Sequence, residues 1–471
     1  MKLYNTLTRQ IDTIKPLNPG EIKMYTCGIT VYSHPQIGNW VAYIYSDVLT
    51  RTLMDAGFKV TRIQNITDVG HLVSDDDAGE DKMEKGARAE GLTAWDIAEK
   101  YIVIAQNEAE QLGLLKPTKL VRATSLIKEQ VAFVKDLETR GYTYIIQDEG
   151  VYFDTSKLDD YGKLAKLDIK GLQAGARVEV NGKRNPTDFA VWKFSPKNQK
   201  RDMEWDSPWG KGFPGWHLEC SVIARVNLGD QIDIHTGGID HIPVHHTNEI
   251  AQTEAVTNKQ FVRYWFHNNH MKINGTKMSK SLGNSYQLED ILNKGYSLSA
   301  LKTMVLSSHY RTEGNFTWTI LEAAQNRLLH WQALLNRKWQ NIGESSTHKI
   351  EIAKIISDSI DSMKNALKND LDTPTAFRIM DETVTKLEDL QADRHSDEAL
   401  TTLESFLSEA LGIQLNNQDI TEDEKETVKQ RQVARDNKDF ATSDQLRDVL
   451  LENSITVKDM ASGPVWSRTL L

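Results

Sequence analysis

The sequence predicts an α/β protein: a parallel sheet interrupted by an inserted module, then a helical bundle and a small mixed α/β module at the C-terminus. Three observations predict it. A strand–glycine–helix–strand pattern lies near the start of the chain. Short strand and helix patterns fill residues 116–205. Beyond residue 315 the apolar residues fall into helical spacing. Taken in order, EIKMYTCG reads as a short strand, after which Gly28 allows a tight turn. Val41, Ile44, Val48, Leu49 and Leu53 mark an amphipathic helix ending at Gly57. In FKVTRIQNITD, Phe58 and Val60 alternate with Lys59 and Thr61, which is the period of a second strand. Strand, turn, helix and strand make a βαβ unit, the start of a Rossmann-type sheet, although that pattern alone fits any α/β protein.

The stretch DDDAGEDKMEKGAR, residues 75–88, is densely charged and reads as a solvated loop or exposed helix. Helical spacing returns over residues 93–114. The inserted module is expected to hold a helix near residues 125–139 and short strands near Tyr144 and Val151, and to end in DFAVWKFSP. The sheet resumes after Pro214, with QIDIHTGG as a strand. Leu321, Leu328 and Leu335, with Ala324 and Trp331 between them, predict a bundle helix; core packing outweighs a cofactor-lining aromatic stripe. A second helix is expected over residues 350–367, and Asp372 with Pro374 starts a third. NNQDITEDEKE, residues 416–426, reads as a linker. The last segment reads as a helix, a strand and a Gly-Pro turn.

Composition removes several function classes. The chain has 471 residues, a formal net charge of −10 and two cysteines. Two cysteines cannot build a disulfide framework, so a reducing cytoplasm is expected. No apolar run approaches a membrane span, and MKLYNTLTRQ has no signal-peptide core. The chain is not a globally basic nucleic-acid binder, but a local basic face would suffice for RNA.

Three stretches carry chemistry. Residues 215–249 hold Cys220 and five of the 13 histidines, with His245 and Glu249 four apart and on one face if helical. The other cysteine, Cys27, lies far upstream. Thiolate, imidazole and carboxylate all suit zinc. The competing reading is two small buried hydrophobes, since no C-x-x-C knuckle is present. KMSKS, residues 277–281, follows an Asn274-Gly275 turn. Its lysines Lys277 and Lys280 can neutralise a triphosphate as charge builds on a leaving pyrophosphate. QIGN, residues 36–39, sits where the first strand turns into a helix, whose free N–H groups bind phosphate. Gly38 there removes a side chain where a purine would lie. Paired with KMSKS, QIGN points to adenylate formation.

With CGITVY, NITD, DFAVWK, SPWGKGFPGWHLECS, DIHTGGID, HHTNEIAQTEA, KMSKSLGN, HYRTEGNF and KDFATSDQLRD all present, the chain resembles the cysteinyl-tRNA synthetases, a class I aminoacyl-tRNA synthetase family, over nearly its whole length. The resemblance implies ATP-dependent ligation of L-cysteine to tRNA(Cys) through a cysteinyl-adenylate, with Mg²⁺ accompanying ATP. It implies one Zn²⁺ held by Cys27, Cys220, His245 and Glu249. Trp216 would wall the cysteine side chain, and Gly28 and Thr67 would contact the amino acid. Thr30, His34, Gly38, His235, Asp240 and Lys280 would surround ATP, with Gln36, Asn39, Lys277 and Lys280 acting on its phosphates. The implied domains are a Rossmann catalytic domain in two halves, residues 1–115 and 206–265, and an inserted connective module, 116–205. A KMSKS and stem-contact region, 266–318, a helical bundle, 319–415, and an anticodon-binding domain, 416–471, follow. Arg435, Lys438, Arg447, Asp459 and Trp466 are candidate tRNA contacts, against a solvated helix face and a core tryptophan. A cytoplasmic monomer is expected. One departure stands out: Gln36 replaces the first histidine of the usual H-I-G-H or H-I-G-N, and His34 could compensate for the lost charge. Two alternatives remain, a cysteine ligase acting on an amino sugar and a non-catalytic RNA-binding relative.

Overall fold

The computed structural model describes residues 1–70, 81–166, 182–196, 201–277, 283–342, 348–416, 418–460 and 463–469. The chain divides into two units, one of residues 2–46 and 57–270, the other of residues 1, 47–56 and 271–471. Among the described residues no helix is long and apolar enough to cross a membrane.

The first unit opens with a hairpin, β1 (Lys2–Asn5) and β2 (Gln10–Thr13), followed by β3 (Glu21–Thr26). Next come α1 (Ile37–Asp55), whose last turns belong to the second unit, and β4 (Lys59–Ile66). Then follow α2 (Lys82–Glu90), α3 (Ala94–Gln111), β5 (Lys119–Arg122) and α4 (Ile127–Thr139). Short strands β6 (Thr143–Ile146), β7 (Gly150–Phe153), β8 (Phe189–Phe194) and β9 (Gly212–Pro214) come next. The unit closes with α5 (Trp216–Leu228), β10 (Ile232–Gly238), α6 (Thr247–Thr257) and β11 (Val262–Asn268).

Its sheet has the order β11-β10-β3-β4-β5, and every pairing is parallel. Both faces are covered, so its strands carry near-continuous apolar residues: Ile22, Met24, Tyr25, Ile232, Ile234 and Trp265 are all buried. The chain builds away from β3 in one direction through β4 and β5, and from β10 in the other to β11. The crevice beyond the carboxyl ends of β3 and β10 is therefore the topological switch point, where open parallel sheets bind ligands.

Two strands fall outside the boundaries expected from sequence. β5 lies inside residues 116–205 yet pairs with β4 in the parallel sheet, and β9 lies beyond residue 205 yet completes the antiparallel sheet β6-β7-β8-β9. At four and three residues, neither is long enough to show a period. The described part of the charged stretch is helical: α2 is capped by Asp81 and buries Met83 and Ala87. Gly28 is required for closeness rather than for a turn, because a Cβ there would fall 1.6 Å from the carbonyl oxygen of Asn65.

The second unit begins with β12 (Met271–Ile273), α7 (Leu288–Asn293), α8 (Leu298–Leu306) and β13 (Gly314–Phe316), β12 pairing in parallel with β13. The bundle helices follow: α9 (Trp318–Leu335), α10 (Lys349–Lys368), α11 (Thr373–Asp389) and α12 (Asp397–Leu411). Leu321, Ala324, Leu328, Trp331 and Leu335 line the buried face of α9, as their spacing requires. Asp372 caps α11 by accepting from Thr375 N, with Pro374 in the first turn. The C-terminal segment is α13 (Glu422–Asp436), α14 (Phe440–Glu452) and a hairpin of β14 (Ile455–Met460) and β15 (Gly463–Arg468). Residues expected as a linker are instead partly packed: Asn416 and Ile420 are buried, and Thr421 with Glu424 forms a capping box that starts α13. The Gly463-Pro464 pair opens β15, opposite Met460 and Asp459, rather than forming a turn.

Candidate active site and metal centre

Four elements deliver side chains to the crevice. β3 ends at Thr26, and the next residue, Cys27, is pinned beside β10 by its N–H donating to Thr236 O at 3.2 Å. α5 starts at Gly215 and is buried along most of its length, which places Trp216 and Cys220 one turn apart. β10 presents His235. A π-helical turn, Ile242–His246, with Pro243 at its start, runs into α6 and brings His245 and Glu249 one turn apart. Such π-turns recur at functional sites because they re-aim a side chain within a helix.

The donors converge. Cys27, Cys220, His245 and Glu249 each offer a ligand atom, and these atoms all lie within 4.8 Å of one another. A second set, Cys27, His235, His246 and Glu249, meets the same limit. Glu249 faces both ways, with Oε1 3.1 Å from His245 Nε2 and Oε2 3.0 Å from His235 Nε2. Cys27 Sγ lies 3.3 Å from His246 Nε2. Behind these groups, His217 Nδ1 is 3.0 Å from His245 Nδ1, and His246 Nδ1 is 2.8 Å from His267 Nε2. Thr6 Oγ1 in turn is 2.8 Å from His267 Nδ1. An outer ring of hydrogen bonds of this kind can hold imidazoles in one orientation for a metal.

The donor chemistry fits zinc. Glu249 is fully buried, and its Oε1, close enough to His245 for an ion pair, has no hydrogen bond among the described residues. Both cysteines are free and buried. A buried carboxylate oxygen without a hydrogen bond is costly unless a cation meets it. Sulfur, nitrogen and oxygen donors at this spacing suit a tetrahedral divalent ion.

The electrostatics agree. A hydrogen bond from Cys27 and the nearby His245 bring Cys220 down to about 6, against its burial, whereas burial and the Cys220 sulfur push Cys27 well up. Burial alone would depress His245, but the charges of Cys220 and Glu249 lift it to about 10. Burial would raise Glu249, yet His235 and His245 hold it at about 2. The opposite shifts favour one thiolate and one carboxylate in the pocket, beside a balancing cation. Burial drives His246 and His267 well below the usual range and takes His241 to about 4, so these three imidazoles are neutral.

The remaining expected residues are placed as follows. Trp216 lies over His245, ring centroids 4.5 Å apart. Thr30 and Thr67 form a parallel bridge, and Asn65 donates to Thr67 Oγ1 at 3.0 Å and accepts from Gly28 N at 2.6 Å. Gly38 lies in the first turn of α1, where Gln36 N donates to Asn39 Oδ1 at 2.9 Å and closes the turn. Asp240 is exposed, and its carboxylate sits where a Cβ on Gly238 would be. His235, expected beside ATP, is fully buried and stacked on Trp265 at 4.7 Å, with its Nε2 3.0 Å from Glu249 Oε2. Lys277 belongs to the second unit and is exposed, its carbonyl accepting from Asn284 Nδ2 at 3.2 Å; Lys280 lies outside the described residues. Sequence reasoning missed His217, His246 and His267 as partners of the donor set. Their clustering in residues 215–249 was a signal for the first two, but His267 is joined only by the fold.

The candidate tRNA contacts divide. Trp466 is buried and stacked on Trp339 with centroids 6.1 Å apart, a core residue. Asp459 is gripped by Arg431 at 2.7 and 3.1 Å and by Arg435 at 3.2 Å. Arg447 is exposed beside Asp444 and Asp448, and Lys438 is exposed with φ +59°.

Comparison with known proteins matches this architecture. The family model described as "tRNA synthetases class I (C) catalytic domain" matches residues 13–326. A Burkholderia lata protein named "Cysteine--tRNA ligase 1" is 42% identical, covering 98% of this chain and 96% of its own. "Cysteine--tRNA ligase" proteins of Treponema denticola and Clostridioides difficile are each 38% identical over 99% of this chain, covering 99% and 100% of theirs. Among solved structures, Mycobacterium tuberculosis methionyl-tRNA synthetase with methionyl-adenylate aligns at TM-score 0.59 and 12% identity, covering 83% of this chain and 92% of that one. An Agrobacterium radiobacter LeuRS–tRNA–LeuAMS ternary complex aligns at TM-score 0.59 and 11% identity, covering 84% and 85%. These structures share the fold.

Proposed function

The chain belongs to the cysteine–tRNA ligase family of class I tRNA synthetases, and we infer that it activates L-cysteine with ATP and passes the cysteinyl group to tRNA. The carboxylate of cysteine attacks the α-phosphate of ATP, giving cysteinyl-adenylate and pyrophosphate. A terminal ribose hydroxyl of the tRNA then attacks the adenylate carbonyl and releases AMP. Class I sites accomplish this mainly by positioning and charge stabilisation.

The observation that carries the reading is the meeting of the chain's only two cysteines with His245 and Glu249 at the switch point of the sheet. In this reading Cys27, Cys220, His245 and Glu249 hold one zinc ion, a Lewis-acidic centre that takes a thiolate sulfur. Of the two possible donor sets, this one is favoured because both sulfurs take part in it. Trp216 packs over His245 and supplies the apolar wall of the cysteine pocket. Gly28 and Thr67, tied together through Asn65, contact the amino acid, and Thr30, bridged to Thr67, faces ATP. The first turn of α1 offers free N–H groups to the phosphates of ATP, which Mg²⁺ would accompany, with the Gln36 amide as a further donor. Lys277 and Lys280 neutralise the departing pyrophosphate, and Asp240 takes the ribose hydroxyls. Residues 319–415 and 416–471 serve tRNA(Cys). We place the protein in the cytoplasm as a monomer, in keeping with its free cysteines.

Discrimination follows from the donor set. Serine presents a harder oxygen whose proton is far less easily lost, and alanine presents no ligand. A required polar contact of this kind separates substrates by about 10⁴–10⁵. The test is pyrophosphate exchange into ATP driven by cysteine or serine, with charging of tRNA(Cys) measured beside it. Exchange with cysteine in excess by about that factor, together with charging, supports the reading; equal exchange with both amino acids contradicts it.

A further inference from the structure

A buried carboxylate on α3 has so far been given no task. Glu108 is 7% exposed, and its two oxygens reach different partners. Oε2 accepts from Trp40 Nε1 at 2.9 Å, while Oε1 lies 3.4 Å from His34 Nδ1. These partners bracket residues 36–39: His34 stands two residues before Gln36, and Trp40 directly follows Asn39. A single side chain from another helix therefore grips both flanks of the helix start whose N–H groups meet phosphate. A buried carboxylate is costly unless paired, so its partners are held firmly.

The pairing also orients His34. With Nδ1 turned toward Glu108 and Pro35 O, the imidazole is one quarter exposed, and Nε2 makes no hydrogen bond among the described residues. Gln36 brings a neutral amide to this turn, so an additional donor beside it has a use. Burial raises Glu108 from its ordinary value, and the charge of His34 and the Trp40 hydrogen bond offset part of that rise.

We propose that Glu108 is a positioning residue for ATP: it braces residues 36–39 through Trp40 and aims His34, so that His34 Nε2 and the Gln36 amide meet the triphosphate together. The proposal rests on the cysteine-activation reading above. Its test is the full-length protein in cysteine-dependent pyrophosphate exchange, comparing wild type with E108Q, E108D, H34A and the double variant E108Q/H34A. E108Q is expected to raise the KM for ATP about tenfold, the size of a lost charge-assisted hydrogen bond, while the KM for cysteine stays within about twofold. H34A should do the same. The double variant should be no worse than the weaker of the two, because the residues act as a unit, and E108D should recover most of the loss. An unchanged KM for ATP in E108Q, or losses that multiply in the double variant, overturns the proposal. If E108Q fails to fold, H34A alone decides, since its ATP KM must still rise. A wild-type protein that shows no cysteine-dependent exchange overturns the functional reading instead, and is distinguished by that.

Discussion

The pocket around Glu249 and the C-terminal hairpin around Asp459 are both rich in charged and aromatic side chains, yet they are built on opposite principles. Around Glu249, two thiols, a carboxylate and several imidazoles are buried, and Glu249 Oε1 has no hydrogen bond among the described residues. Around Asp459, the charges answer one another: Arg431 is paired at 2.7 and 3.1 Å, Arg435 closes on the same carboxylate, and Trp466 stacks on Trp339. Arg431 Nε also has no hydrogen bond among the described residues, so the distinction lies in the charges: thiols and a carboxylate gathered in a buried pocket mark a place built for a cation, whereas a carboxylate matched by two guanidinium groups marks a place built to hold the fold. Residue type alone does not separate the two.

The comparison breaks most easily at the pocket. Cys220→Ala should remove zinc and lower cysteine-dependent exchange by about 1000-fold, beyond the 10–100-fold of an outer hydrogen-bond change, with the melting curve retained in the C-terminal region. Zinc content by elemental analysis and exchange rates check this together. His217→Ala, which leaves the donors but frees His245 Nδ1, should stay within the 10–100-fold range in zinc affinity.

The C-terminal module predicts the reverse pattern. Trp466→Ala should cost about 3 kcal/mol of stability, read by denaturant unfolding, and leave cysteine-dependent exchange unchanged. Asp459→Asn should cost about 1–2 kcal/mol, since it leaves the nearly buried Arg431 without its charge partner.

The smallest effect sharpens the comparison through pH. A hydrogen bond from Arg431 and the charges of Arg431 and Arg435 hold Asp459 below its ordinary 3.8. A carboxylate lowered in the folded state binds fewer protons there than when unfolded. The stability from the pair is therefore present above pH 3.8 and is lost as pH falls through the lowered folded value. The stability gap between wild type and D459N should be constant near neutrality and close in acid. A gap that does not move with pH would count against ion pairing.

Legibility in sequence followed element length and the reach of the interaction. α1 and α9 were readable from several turns of apolar spacing, and α11 from its Asp372 and Pro374 start signal. β5 and β9, at four and three residues, were assigned to the wrong side of a boundary, since pairing partners are set by tertiary contact. The Thr421–Glu424 capping box was a local signal hidden inside a polar stretch. At the site, the convergence of Cys27, Cys220, His245 and Glu249 was legible through cysteine scarcity, the His245–Glu249 spacing and the family motifs. Glu108 was not, because it meets His34 only when α3 packs against the start of α1. KMSKS residues 278–281 lie outside the described residues.

The central claim is that Cys27, Cys220, His245 and Glu249 hold a metal whose task is to select the substrate sulfur. X-ray absorption at the zinc edge, on protein purified without added metal, tests it most directly. The account predicts one zinc per chain with two protein sulfurs in its shell, and one further sulfur when cysteine is added but none with serine. A shell with a single protein sulfur, or a zinc-free protein that still activates cysteine selectively, would contradict it.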